Sequence, residues 1–494
     1  PTFEQFKELS KKGNLIPLSR ELMADQETPL SVYRKLAAGS SVHTFLLESV
    51  EGGEHVGRFS FVGFEPLKVI KISGDQLTVL EGNRERTEKI SGEPLQVVEK
   101  EMSRYKAVPV PGMPRFIGGA VGYVGYEYLS KIEPVARAKK SDLGAPDVYF
   151  MLMDSVVVFD RVTQSMKIVV HALVDAKGDL PKTYDDTVRR IEAIEAKLRK
   201  SIAPDLLPLV QEYPSANFES AMPKDRFLEI VSTAKKYIHQ GDIIQVVLSQ
   251  RFSAPTRADP LTLYRALRTI NPSPYMFLMQ VDGFSLIGSS PEIHVRHEEQ
   301  TVEVRPIAGT RPRGKTIVED LVLEKELLAD EKERAEHLML VDLARNDIGR
   351  VCETGTVKVP EFMTVERYSH VMHIVSQVEG RLNRNQTSFD LMRATFPAGT
   401  VSGAPKIRAA QIIAELETLE RGPYAGAVGY FSFDGNLDTC ITIRTILLKD
   451  NVAYIQTGAG IVADSVPENE YQETMNKAKG MFKAVALANA LVKK

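Results

Sequence analysis

Cysteine is scarce in this chain. Only Cys352 and Cys440 occur in 494 residues, which excludes a disulfide framework and a cysteine-rich zinc site. Neither stands in a strand-to-helix elbow that would present a nucleophilic thiol. Long apolar runs are missing too. No stretch reaches membrane-spanning length and residues 1–14 are polar, unlike a signal peptide, so a soluble cytosolic protein is expected. There is no excess of positive charge: a formal net charge of −3 without a basic cluster argues against nucleic-acid binding. Phosphate loops are also lacking. Residues 118–126 are glycine-rich but miss G-x-G-x-x-G, and read as sheet in which backbones approach closely.

The length suggests roughly two to four domain-sized units with ample core. The first half reads as mixed strand and helix, with strands over 43–49, 155–159 and 166–171. A hairpin joins 69–73 to 76–80 around Gly74-Asp75. A charged helix over 182–200 leads into 201–220, where Pro204, Pro208 and Pro214 mark a linker. The domains expected are therefore 1–200 and 221–494. In the second, apolar spacing predicts a helix over 224–240, ended by Gly241, and one long helix over 324–344. Strands are expected at 245–248 and 283–287. A hairpin of 430–433 and 438–448 follows, with a return strand at 452–457 and a final helix over 467–492. This order gives α+β layers and not a doubly wound sheet.

Residues 396–406 (Phe-Pro-Ala-Gly-Thr-Val-Ser-Gly-Ala-Pro-Lys) form a hydroxyl-rich turn before a helix predicted over 406–419. Such a turn can deliver backbone N–H groups to an anion. It is not a P-loop, because Gly403 is followed by Ala-Pro-Lys. Two helices carry paired carboxylates three residues apart: Glu333 with Glu336, and Glu470 with Glu473, the latter followed one turn on by Lys477. Four carboxylates converging on one cleft would repel one another, and a divalent cation with oxygen ligands such as Mg²⁺ would relieve that.

Taken together, Gly288-Ser-Ser-Pro-Glu292, Pro306-Ile-Ala-Gly-Thr-Arg-Pro-Arg-Gly314, the run from Glu336 to Asp347, the 396–406 turn, Gly458-Ala-Gly460 and Glu473-Thr-Met-Asn-Lys477 resemble the chorismate-utilising enzymes. Among these the chain is similar to the large subunits of anthranilate synthases, over nearly its whole length. The resemblance implies an α+β fold of layered sheets packed face to face and flanked by helices, with a regulatory, partner-binding N-terminal subdomain. It implies Mg²⁺ held by Glu336 and Glu473, with Glu333 and Glu470 as nearby partners, binding the ring carboxylate of chorismate. Glu292 would be the acid that protonates the leaving C4 hydroxyl. Gly309, Thr310, Tyr424, Arg444, Gly458, Ala459, Gly460 and Lys477 match substrate-contact positions. In a strand over 438–448, Ile441 and Ile443 would face one way and Thr442 and Arg444 the other. Thr400 matches a pocket hydroxyl, and His373 a histidine linked to the loss of pyruvate.

Two positions separate the sibling reactions. Relatives that add water carry lysine where Gln245 stands, as the base that activates water; glutamine cannot serve, whereas ammonia needs no such base. Relatives that aminate C4 carry lysine where Ala308 stands. The expected reaction is addition of ammonia at C2 followed by loss of pyruvate, giving anthranilate, the first committed step towards tryptophan. Formation of aminodeoxyisochorismate or aminodeoxychorismate, or an inactive chorismate- or tryptophan-binding subunit, are the other readings. Leu47, Glu48, Ser49, Pro274, Tyr275 and Met276 resemble tryptophan-binding elements, one from each half of the chain, so inhibition by L-tryptophan is expected. A separate glutamine amidotransferase subunit would supply ammonia, in a heterotetramer.

Overall fold

The computed structural model describes residues 1–37, 42–50, 57–175, 178–203, 205–208, 212, 215–368 and 371–492. Part of the predicted linker, including Pro204 and Pro214, lies outside the described residues.

Two antiparallel sheets of 12 strands each lie at the centre. Both run across the two halves of the chain. In the first sheet, Thr44–Glu48 pairs with Tyr275–Val281, Leu47 opposite Phe277. In the second, Gly119–Val124 pairs with Ala427–Ser432, Gly122 opposite Gly429. The glycines of this seam are there for close approach: a Cβ at Gly119 or Gly122 would collide with the Phe431 or Tyr149 carbonyl.

The sheets pack face to face and helices cover their outer sides. Strand Val148–Met153 shows why these strands read as continuous apolar runs. Tyr149, Met151 and Met153 enter the core between the sheets. Val148, Phe150 and Leu152 enter the outer core beneath the helices, so neither face is free for polar side chains. On the far side of the first sheet, Leu263 and Leu267 of helix Pro260–Ile270 and Met481 and Val485 of the final helix share one core. Each fully buried side chain of this size contributes roughly 1.5–3 kcal/mol. Among the described residues no helix is long and apolar enough to cross a membrane.

The hairpin at Gly74-Asp75 and the final helix Pro467–Val492 form as expected. Two expectations fail. The long helix over 324–344 is two helices, Ile317–Ala329 and Glu331–Gly349. Asp330 divides them, because its carboxylate accepts the N–H groups of Lys332 and Glu333, each at 3.1 Å, and so starts a new helix. The strand over 438–448 is also two elements. Leu437–Ile441 belongs to the second sheet and Thr445–Lys449 to the first, so the chain changes sheets at Thr442-Ile443-Arg444.

Candidate active site

The change of sheets at Thr442–Arg444 has a counterpart. Phe284–Ser290 lies in the first sheet and Ile293–Glu298 in the second, so that chain crosses at Pro291-Glu292. The two crossing strands pair with each other on both sides of the corner. They are tied there by Ile441 N–H to the Glu292 carbonyl (3.0 Å), Ser289 N–H to the Arg444 carbonyl (3.1 Å) and the Ser290 hydroxyl to the Ile441 carbonyl (2.7 Å). Such corners leave the regular ladder and aim side chains out of the sheets. Arg444 has the left-handed φ of +51° there, a strained value for a side chain of this size. The predicted alternation of this segment does not hold. Ile441 and Thr442 are buried, while Ile443 and Arg444 both face a cavity of about 810 Å³.

That cavity gathers nearly all the residues singled out in the sequence. Gln245, Glu292, Gly309, Thr310, Glu333, Glu336, His373, Thr400, Tyr424, Arg444, Gly458, Gly460, Glu470, Glu473 and Lys477 line it. Ala459 does not. Its side chain alternates to the opposite face of strand Val452–Ile461 and is fully buried in the outer core.

Glu292 is only 5% exposed. Burial pushes its carboxyl up to about 7, against the Thr400 hydroxyl, which donates to Oε1 at 2.7 Å and favours the ion. The 396–406 segment forms a short turn, Gly399–Val401, then the two-residue strand Gly403–Ala404 against Gln245–Val246. From it Thr400 and Val401 reach the cavity, whereas Lys406 at the helix start is bound to Asp347 (2.7 Å). The anion-binding helix start expected from sequence is therefore replaced by a hydroxyl that meets a carboxyl.

Arg444 has no carboxylate within ion-pair distance among the described residues, and burial lowers its proton affinity. A half-buried guanidinium of this kind, facing a cavity without a partner, calls for an anionic ligand. Tyr424 stands beside it, its phenol pushed up to about 12 by burial. Gln245 is buried with Oε1 unpaired, and a Cβ at Gly460 would strike its Nε2. Gly309 sits at a bulge with φ of +69°, and its carbonyl accepts from His373 Nδ1 at 2.9 Å. That bond fixes the neutral ring with its proton on Nδ1 and the lone pair on Nε2. Burial lowers the imidazole's proton affinity further.

The two carboxylate pairs flank the cavity on helices Glu331–Gly349 and Pro467–Val492. Burial raises the Glu336 carboxyl above its usual range, and Glu333 and Glu473 add like-charge repulsion. Glu470 is raised by burial and by Glu473. Glu473 is paired with Lys477 at 2.6 Å, and Lys477 also donates to the Gly458 carbonyl at 3.1 Å. Among the described residues no three such ligands are gathered into a formed metal cage. The donor set nevertheless suits Mg²⁺, which binds through one or two carboxylates and completes its shell with water and substrate oxygens. Sequence reasoning missed Lys332, Asn271 and Asn476, which also line the cavity. Lys332 could have been found, since it adjoins Glu333 in the first turn of its helix.

A second cavity, of about 50 Å³, lies between the sheets. Leu47, Glu48, Ser49, Pro274, Tyr275 and Met276 all border it, and Pro274 borders the large cavity too. The Glu48 carboxylate is engaged elsewhere, by Tyr264 (2.5 Å) and Arg268 (3.2 Å), and Met276 faces the outer core. Tyr275 donates to Asp438 at 3.0 Å. Cys440 borders the same cavity with its thiol pushed up by burial, and Cys352 is pushed up to about 11, so neither is an activated nucleophile.

Known proteins share this chain's sequence pattern and its fold. The profile of the family described as chorismate binding enzyme matches residues 42–483. Anthranilate synthase component 1 of Acetivibrio thermocellus is 47% identical over 99% of both chains. That of Neisseria meningitidis serogroup A is 48% identical over 96% of both. The crystal structure of anthranilate synthase component I from Streptococcus pneumoniae superposes with a TM-score of 0.77 at 37% identity, covering 93% of this chain and 99% of that one. The menaquinone-specific isochorismate synthase of Escherichia coli shares the fold, with a TM-score of 0.68 at 19% identity over 98% of both chains. With its sequence matched over nearly its whole length and its fold in common with these proteins, the chain belongs to the chorismate-binding enzymes, in the group of anthranilate synthase component 1.

Proposed function

We propose that the large cavity carries out the anthranilate synthase reaction, turning chorismate and ammonia into anthranilate and pyruvate, with the following division of labour. The observation that carries it is the pair at the sheet crossing: a carboxyl that holds its proton to about pH 7 and an arginine with no counter-ion among the described residues, both facing one cavity. Arg444 clamps the enolpyruvyl carboxylate, and Tyr424 donates its hydroxyl alongside. Mg²⁺ held by Glu336 and Glu473, with Glu333 and Glu470 nearby, would supply positive charge to the ring carboxylate. Gly309 and Thr310 border the ring on one side, Gly458 and Gly460 on the other; Lys477 stays tied to Glu473.

Glu292 gives its proton to the C4 hydroxyl, which departs as water while ammonia bonds at C2. Gln245 provides no base to activate water and Ala308 no amine, so ammonia is the nucleophile that remains. His373 then takes the proton from C2, the bond from C3 to the enolpyruvyl oxygen breaks, and the ring becomes aromatic as pyruvate leaves. Its free Nε2 lone pair suits that role.

Ammonia comes from a separate glutamine amidotransferase subunit, and the "component 1" in the relatives' names supports this. The small cavity takes L-tryptophan. Pro274, common to both cavities, would carry the inhibition from one to the other. A cytosolic heterotetramer is the assembly we assign. Fluorescence of product from chorismate, Mg²⁺ and ammonium, with and without tryptophan, tests the reading. Anthranilate that falls on adding tryptophan supports all of it. Chorismate consumed without anthranilate refutes the reaction, and anthranilate insensitive to tryptophan refutes the small site alone.

A further inference from the structure

Glu292 and Thr400 line a second space besides the large cavity. It has a volume of about 30 Å³, and His294, Asp347, Leu343 and Ala344 complete much of its wall. A single water needs about 10–15 Å³ and two or more polar partners, so the space is large enough and polar enough to hold water. His294 is 3% exposed. Its Nδ1 meets the Thr439 hydroxyl at 3.2 Å, and that hydroxyl donates to the Val295 carbonyl. The hydroxyl can therefore only accept from the ring, which puts the ring proton on Nδ1. Nε2 has no close hydrogen-bond partner, with the Thr395 carbonyl nearby, and the ring belongs to the wall of the same space. Asp347, on helix Glu331–Gly349, is held by Lys406 at 2.7 Å and its side chain is 15% exposed, so it touches both this space and solvent.

We propose that water in this rear cavity returns a proton from Asp347 to Glu292 in each turnover, so that the acid is reloaded without opening the substrate side. The inference rests on Glu292 acting as the proton donor. The balance is simple. The O–H bond of Glu292 breaks as the C4 hydroxyl leaves as water, and the carboxylate takes a proton from the rear water. The water takes one from the Asp347 carboxyl, which regains it from solvent, while the amine formed at C2 releases one proton to solvent. Arg444 and Lys477 face Glu292 from the substrate side. Lys406 and Arg350 face Asp347, and burial, with Lys406 adding to it, keeps His294 neutral. Burial raises the Asp347 carboxyl above its usual range, closer to that of Glu292.

The test uses the full chain with ammonium as nitrogen source. Asp347→Asn removes the donor, and Ala344→Leu fills the space. For each, kcat is measured above pH 7 against the concentration of a small buffer acid at constant ionic strength, with Glu292→Gln alongside. We expect kcat in both variants to fall roughly tenfold or more, within the range over which positioned proton transfers act. It should rise again with buffer, at unchanged KM for chorismate, while the unaltered enzyme shows no buffer dependence. Wild-type kcat in both variants at every buffer concentration would overturn the route. So would a loss that buffer does not restore, which would make Asp347 structural. If Glu292→Gln itself stays active, the assignment of the acid falls, and the rear route with it.

Discussion

Replacing Thr400 by valine should extend activity to higher pH. The substitution removes one donor, the hydroxyl at 2.7 Å from Glu292 Oε1. Burial has pushed this carboxyl to about 7, and the hydroxyl works against burial because it stabilises the carboxylate. A hydrogen bond to a charged group contributes about 1.5–3 kcal/mol, and about 1.4 kcal/mol is a tenfold change in proton affinity. The neutral acid keeps part of that interaction, so the net change is roughly one pH unit upward. A general acid works only while protonated, so activity is lost as pH rises through its pKa. The basic limb of kcat/KM should therefore move up by roughly one pH unit in Thr400→Val, even if the plateau falls because the hydroxyl also meets substrate. The assay is initial-rate fluorescence against chorismate concentration, with total ammonium adjusted to hold free ammonia constant across the series. A limb that stays in place, or moves towards acid, would refute the coupling of Thr400 to Glu292.

Arg444→Gln should lower kcat/KM by roughly 10- to 100-fold, mostly through KM, since about 1.5–3 kcal/mol of charged hydrogen bonding to substrate is lost. Thermal denaturation should show the unliganded variant no less stable than the parent, because the arginine has no internal ion pair to lose. Mg²⁺ should raise the melting temperature of the parent, by the equivalent of about 2.7 kcal/mol at a hundred times its Kd. That stabilisation should be much weaker in Glu336→Gln, with chelator abolishing activity in the parent. Glu292→Gln should be inactive and more stable than the parent at pH 8. The folded state holds this carboxyl at about 7 against an ordinary 4.5, which amounts to about 3 kcal/mol lost as pH rises through that window. Denaturant titrations at pH 8 and pH 4 should show the gap at the first and not at the second.

The elements legible in the sequence were those whose signals are local. Gly74-Asp75 between apolar runs supplied its own turn, and the final helix carried an apolar stripe from Ala478 onward. Asp330 was legible in principle, since an aspartate before the charged run Glu331-Lys332-Glu333 is a helix start, but the apolar spacing on either side masked it. The two-sheet arrangement was harder to read. Strand Val148–Met153 is buried on both faces and shows no alternation to reveal which side meets which sheet. Hardest was the crossing at Thr442–Arg444. Nothing in those three residues marks a change of sheet, because it depends on pairing with a segment more than a hundred residues earlier, Phe284–Glu298. Motif resemblance found Glu292 and Arg444 without this knowledge, but only the crossing explains why both face one cavity.

The crossing also explains how the site tolerates groups that a sheet interior would not. A carboxyl kept from ionising and a guanidinium kept from a counter-ion both destabilise the chain around them, and a flexible corner would relax until each found a partner. Here the corner is held by its own cross-strand bonds, and the turn and strand beside it are fixed from behind. Arg421, 1% exposed, donates to the Val401 carbonyl at 2.7 Å and to the Val247 carbonyl at 2.8 Å, and pairs with Glu417. Glu417 in turn accepts the N–H of Ser249 at 2.7 Å. This ion pair thus fastens the turn that bears Thr400 to the strand that begins at Gln245, without lining the cavity itself. Breaking one partner of such a buried pair costs about 3–5 kcal/mol, far more than the corner would gain by relaxing one side chain. Glu292, held by the Thr400 hydroxyl, and the unpaired Arg444 therefore keep their places until substrate meets them.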